Sequence, residues 1–181
     1  MEGELASMFI ILFRGLVPFL ILRWPLAGAL LAIVGDIIDI FIFDMFGSGF
    51  LEGFGYHNFD KIFDMWYYIF EMIVIWRWKD KLARNTGAVL FGWRAAGFVI
   101  FEITKFKPIF FFAPNIFEFF FIATLVLKKF NRKFVYNYKN LILTLAIVGI
   151  PNIIKEYLMH CKYPDQTFDI IRDKFFWWLY G

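Results

Sequence analysis

Apolar residues along the chain gather into six long blocks, each interrupted by a few charged or amide side chains. The first runs from about Ala6 to Leu22 and holds Arg14 and Pro18; the second runs from about Trp24 to Phe46 and holds Asp36, Asp39 and Asp44. The third, about Asp60 to Trp76, carries Asp64 and Glu71, and the fourth, about Asn85 to Thr104, carries Arg94 and Glu102. The fifth, about Phe106 to Leu127, contains Pro114, Asn115 and Glu118; the sixth, about Asn140 to Leu158, contains Pro151, Lys155 and Glu156. Most are long enough for a helix to cross a bilayer core, which takes roughly 20 residues. The pattern predicts an all-α polytopic membrane bundle with about six transmembrane helices.

Two stretches break the pattern. From Pro164 to Tyr180, Phe168, Ile171, Phe175 and Trp178 recur at helical spacing among Asp169, Arg172 and Asp173. This predicts a C-terminal amphipathic helix lying on the interface, with Trp177 and Trp178 at headgroup depth. Gly47 to Phe59, rich in Gly and aromatics, reads as a loop that dips toward the membrane. The whole chain, 1–181, is expected to be one membrane domain, with 1–160 the bundle and 161–181 the interfacial segment.

Composition strengthens the membrane reading. The 181 residues are 61% hydrophobic and include 27 Phe, more aromatic surface than a soluble chain of this size can hide. A net charge of +3 is too small to point to nucleic acid. The single cysteine, Cys161, excludes an internal disulfide and a cysteine-based zinc site. The Met-Glu-Gly-Glu start lacks the positive region of a cleaved signal peptide, so the first span is expected to be retained.

Basic residues set the expected orientation. The third loop holds Arg77, Lys79, Lys81 and Arg84, and the fifth holds Lys128, Lys129, Arg132, Lys133 and Lys139. The positive-inside rule then places both termini outside, in a prokaryotic cytoplasmic membrane. With that orientation Asp39, Asp44, Asp60, Asp64, Glu102, Asn115, Glu156 and His160 fall in the outer half. Arg14, Asp36, Glu71, Arg94 and Glu118 fall near the middle, so an acidic vestibule with arginines at its floor is expected.

Charges at bilayer depth cost about 2.5 kcal/mol or more, and persist where they pair, face water or do chemistry. Spacing groups them. Asp36 and Asp39 share a helical face, Asp60, Asp64, Tyr67 and Glu71 form one stripe, and Asn152, Glu156 and His160 another. Asn115 and Glu118 are three apart, directly after Pro114, and Pro114 and Pro151 each remove a backbone bond. Broken helices of this kind often line ion or substrate sites. Asp36, Asp39 and Asp44 could bind a divalent cation such as Mg²⁺, with Asp64 completing the site; alternatively Asp36, Asp39 and Asp44 pair with Arg14 or Arg94, and Asp44 is simply exposed at the interface. Arg94 could pair with Asp36, Glu71 or Glu118, or hold a phosphate or carboxylate. Glu156 and His160 have metal-ligand spacing, but an interfacial histidine is the plainer reading; Asp60 reads as a helix cap. The small residues Gly92, Ala95, Ala96 and Gly97 are expected to permit close helix packing.

Asp36-Ile-Ile-Asp39 with Asp44, followed by Asp60-Lys-Ile-Phe-Asp64, resembles the paired aspartate motifs of intramembrane prenyltransferases. In that family these motifs hold Mg²⁺ and a diphosphate. The likeness is local: Gly35 stands where the family has Asn, and the two motifs lie closer together. The whole chain resembles a set of small prokaryotic polytopic membrane proteins that has no assigned activity. The resemblance rests on Arg23-Trp24-Pro25, Asp60-Lys61 with Asp64 and Tyr67-Tyr68, Phe101-Glu102, Pro114-Asn115 with Phe117-Glu118, and Glu156-Tyr157 with His160.

Three functions stay open. A cation- or proton-linked transporter or channel subunit would use Arg14, Glu71, Arg94, Glu102, Asn115 and Glu118 as a polar relay and would form a homo-oligomer. A metal-dependent enzyme acting on a lipid or lipid-linked phosphate would use Asp36, Asp39 and Asp64 for the metal, and Glu156 and His160 for protons. An accessory subunit of a larger membrane complex would use the charges as interhelical and intersubunit pairs.

Overall fold

The structure, a computed structural model, describes residues 2–47 and 56–162. The interfacial helix expected over Pro164 to Tyr180 lies outside the described residues, as do the side chains of Asp44, His57, Asp60 and His160. Among the described residues the chain is helical throughout, with no strand. The helices are α1 (Glu2–Leu16), α2 (Pro18–Arg23), α3 (Pro25–Phe46), α4 (Tyr56–Trp76), α5 (Lys81–Thr104), α6 (Ile109–Phe112), α7 (Ile116–Phe130) and α8 (Tyr138–Tyr157), with a π-helical turn at Leu158–Lys162. Helix α4 starts at Tyr56, so part of the stretch read as loop is helix.

Proline and small polar residues explain the boundaries. Pro18 cannot donate to the carbonyl four residues back, that of Arg14, and α1 gives way to α2 there. Pro25 occupies the first turn of α3, where a missing N–H costs nothing. Asp80 caps α5 by accepting from the Ala83 amide at 3.1 Å, and Asn137 caps α8 by accepting from the Asn140 amide at 2.8 Å. The two prolines expected to break spans behave differently. Pro114 lies in the break between α6 and α7, whereas α8 runs on through Pro151. The Asn152 amide nitrogen, Nδ2, donates to the Val148 carbonyl at 2.7 Å, one turn back.

The chain divides into two compact units. The first comprises Met1–Ala88 and Phe121–Tyr136; the second comprises Val89–Phe120 and Asn137–Gly181. In the first, α1, α2, α3 and α4 pack mutually. Gly28 lets α3 approach the backbone of Leu20 and Ile21 so closely that a Cβ would collide with it. Ile10 is buried against Ile11, Ile42, Phe43 and Phe63. In the second unit α6 packs on α8 and on the π turn, and Gly97 faces the Cβ of Ala113. Gly92, also expected at a packed face, has open space beside it.

Four segments, Glu2–Arg23, Pro25–Phe43, Lys81–Thr104 and Ile109–Phe130, are long and apolar enough to cross a membrane. Helices α4, which carries Lys61, Asp64 and Glu71, and α8, which carries Lys139, Asn152, Lys155 and Glu156, are outside that group. Burial is inverted relative to a water-soluble protein. On α4, Ile62, Trp66, Ile69 and Ile73 are exposed while Asp64, Tyr67, Tyr68 and Glu71 are buried. On α8, Ile142, Leu143, Ile147 and Ile150 are exposed while Thr144, Asn152 and Glu156 are buried. Polar-in, apolar-out faces suit hydrocarbon surroundings and would be unfavourable in water.

Candidate functional site

Each unit holds a buried cluster of charged side chains. In the first, Arg14 reaches from α1 to three aspartates. Its Nη1 lies 2.5 Å from Asp39 Oδ2, and its Nη2 lies 2.9 Å from Asp36 Oδ1 and 3.2 Å from Asp64 Oδ1. Asp36 and Asp39 stand on one face of α3, and Asp64 projects from α4, so a single guanidinium ties three helices together. Asp64 also accepts from Lys61 Nζ at 3.1 Å and from the Tyr67 hydroxyl at 3.2 Å. The Phe63 ring lies 5.6 Å from the Arg14 guanidinium carbon, covering the cation with an aromatic face. Burial is uneven: the Asp39 side chain is 1% exposed and that of Asp36 37%. Glu71, two turns from Asp64 on α4, is fully buried.

Asp36, Asp39 and Asp64 thus converge on the Arg14 guanidinium. Arg14 presents donors in two directions, and these match carboxylates arriving from two helices. Among the described residues, no group of three or more His, Cys, Asp or Glu side chains is arranged to hold a metal ion.

The second cluster surrounds the break between α6 and α7. A helix that stops at Phe112 leaves its last carbonyls without intrahelical donors. Two neighbouring residues of α5 supply them: Trp93 Nε1 donates to the Phe112 carbonyl at 2.8 Å, and Arg94 Nη1 to the Ala113 carbonyl at 2.7 Å. Arg94 lies over the Phe110 ring, 4.7 Å from its centroid, and 3.8 Å from Glu156 Oε1. Glu156 also accepts from the Asn115 backbone N–H at 3.4 Å and lies 3.8 Å from Lys155 Nζ. Three donors, from α5, from the α6–α7 break and from α8 itself, therefore approach one buried carboxylate. Asn115 Nδ2 donates to Glu118 Oε2 at 2.7 Å, and the Asn115 Oδ1 atom is buried without a hydrogen-bond partner. Glu118 stands in the first turn of α7, where the helix dipole favours a negative charge.

Several expectations about partners resolve here. Arg94, expected to meet Asp36, Glu71 or Glu118, pairs with Glu156 and donates to the Ala113 carbonyl, because the helix break presents a carbonyl that needs a donor. Glu102 stands apart from this cluster: it pairs with Lys105 Nζ at 2.5 Å at the end of α5, and both side chains are substantially exposed. Asn152 and Glu156 share a buried stripe on α8 as expected. The role of Trp93 and of the Ala113 carbonyl was not legible from sequence, since which donor takes a freed carbonyl depends on tertiary packing. Pro114 was the usable signal.

Comparison with protein-family models, with curated proteins and with solved structures found no match.

Proposed function

We propose that this chain is an integral membrane protein of six spans that acts as a cation- or proton-linked transporter or channel subunit. In this reading α4 and α8 cross the bilayer with the other spans, their acids turned inward and their isoleucines toward lipid. The carrying observation is an excess of buried acid. Within the helices, Asp39, Asp64, Glu71, Glu118 and Glu156 are buried against only Arg14 and Arg94 among the fully buried cations of the described residues. Arg14 answers Asp39 and Asp64 in the first cluster. In the second, Glu118 and Glu156 stand beside a broken helix, the kind of place where transporters bind ions and substrates. The test is flux into liposomes: Glu118→Gln keeps the hydrogen bond from Asn115 and removes the charge, so it should abolish transport while the protein stays folded.

A second reading has its own support, the meeting of Asp36, Asp39 and Asp64 at one point. In it the chain is a metal-dependent enzyme acting on a lipid or lipid-linked phosphate, and a divalent cation takes the place of the Arg14 guanidinium among the three aspartates of the first unit. It requires that Mg²⁺ or Mn²⁺ raise the thermal unfolding temperature by mass action and that Asp39→Asn remove the effect. Absence of stabilisation by any divalent ion removes this reading.

A further inference from the structure

Away from its buried cluster, the first unit carries one strongly basic face. At its edge, residues 77–84 hold Arg77, Lys79, Lys81 and Arg84. Residues 128–136 hold Lys128, Lys129, Arg132 and Lys133. The one acid in these two stretches, Asp80, is buried and turned inward. One of its oxygens accepts from the Ala83 amide at 3.1 Å and the other from the Tyr136 amide at 2.8 Å. Asp80 therefore holds the two stretches together, and its one negative charge stands against the eight basic residues of the two stretches.

The face is built, not a loose tail. Trp78 stacks on Phe121 with centroids 5.8 Å apart, and Lys128 Nζ lies 4.3 Å from the centroid of the Trp78 ring. The Tyr136 hydroxyl and Thr124 share a buried hydrogen bond of 3.1 Å. The cations also stand at helix ends. Helix α5 begins at Lys81 and α7 ends at Phe130, and both belong to segments long and apolar enough to cross a membrane. Where such segments span, their ends reach headgroup depth. Large apolar rings are exposed beside the cations, Trp76 at 66% and Phe130 at 88%. A ring beside a lysine, each open to the surroundings, suits the boundary between acyl chain and phosphate.

We propose that this face is a binding surface for anionic phospholipids of the surrounding bilayer. The lysines and arginines take the phosphate-bearing head groups, and Trp76 and Phe130 take the upper acyl chain. Charge complementarity favours this occupant, since basic groups at a membrane surface attract anionic lipid individually and additively. The exposed rings set a lipid apart from a free anion, which would gain nothing from them.

The experiment uses the full chain in mixed-lipid nanodiscs, with spin-labelled phosphatidylglycerol or phosphatidylcholine reporting the lipid held at the protein. The wild type should prefer phosphatidylglycerol by about tenfold, falling as salt is raised. Substituting Arg77→Gln, Lys79→Gln, Lys129→Gln and Arg132→Gln together should bring the preference close to one. The pair Lys105→Gln with Lys107→Gln, two basic residues of the second unit, should leave it unchanged. If the fourfold variant does not fold, Lys79→Gln with Lys129→Gln should give an intermediate preference. Inorganic phosphate at millimolar concentration should not displace the lipid. Equal retention of the two lipids by the wild type overturns the proposal, as does a preference that survives the fourfold variant. Displacement by inorganic phosphate also overturns it, because the face would then be a free-anion site.

Discussion

At the scale of single residues, the three aspartates on Arg14 make the same type of contact and differ in surroundings. Asp39 is 1% exposed and Asp36 37%, so the cost of losing each charge should differ. Asp39→Asn leaves the buried guanidinium short of its closest carboxylate and is expected to cost about 3 kcal/mol, in the range for breaking a buried pair. Asp36→Asn, at a wetter position, should cost less than about 1 kcal/mol. Reversible unfolding in mixed detergent measures both, and equal costs would contradict the cluster as described. Arg94→Met should be costly too, by about 3 kcal/mol or more, because it removes both the donor to the Ala113 carbonyl and a cation beside buried Glu156. These polar residues were visible in the sequence because charge inside an apolar block is rare. Their partners were only partly visible. Asp36 with Asp39, and Asn115 with Glu118, follow from helical spacing within one element. Arg14 with Asp64 and Arg94 with Glu156 depend on packing between elements, which one sequence does not encode at the level of spacing.

At the scale of elements, proline and glycine separate what was legible from what was not. The break at Pro114 could be anticipated, because a proline followed by Asn115 and an apolar run reads as a helix end and a new start. Continuity of α8 through Pro151 could not, because a helix tolerates proline when neighbouring groups satisfy the freed backbone. The small-residue cluster of α5 separates likewise. Gly97 faces Ala113 with no room for a Cβ, whereas Gly92 faces open space. Gly97→Val should therefore destabilise by about 1–3 kcal/mol through overpacking. Gly92→Ala should stabilise by up to about 1 kcal/mol, the helix preference of Ala over Gly. Thermal unfolding of both variants checks this, and a stable Gly97→Val would mean that α5 and α6 do not pack closely.

At the scale of the whole molecule, the membrane character was the most legible property. It follows from long apolar blocks and from 27 Phe in 181 residues, and four segments have the length and hydropathy to span. In the proposed reading, the inverted burial of α4 and α8 adds these two charged helices to the four spans. What the polar interior is for rests on its charge balance. The most direct test is cation and proton flux into liposomes containing the purified protein, wild type against Glu118→Gln, with thermal unfolding of both followed in parallel. The account predicts a gradient-driven flux in the wild type and none in the variant, at similar unfolding temperatures. A wild type that moves no cation or proton under any imposed gradient, or a Glu118→Gln variant that moves as much as the wild type, would contradict it.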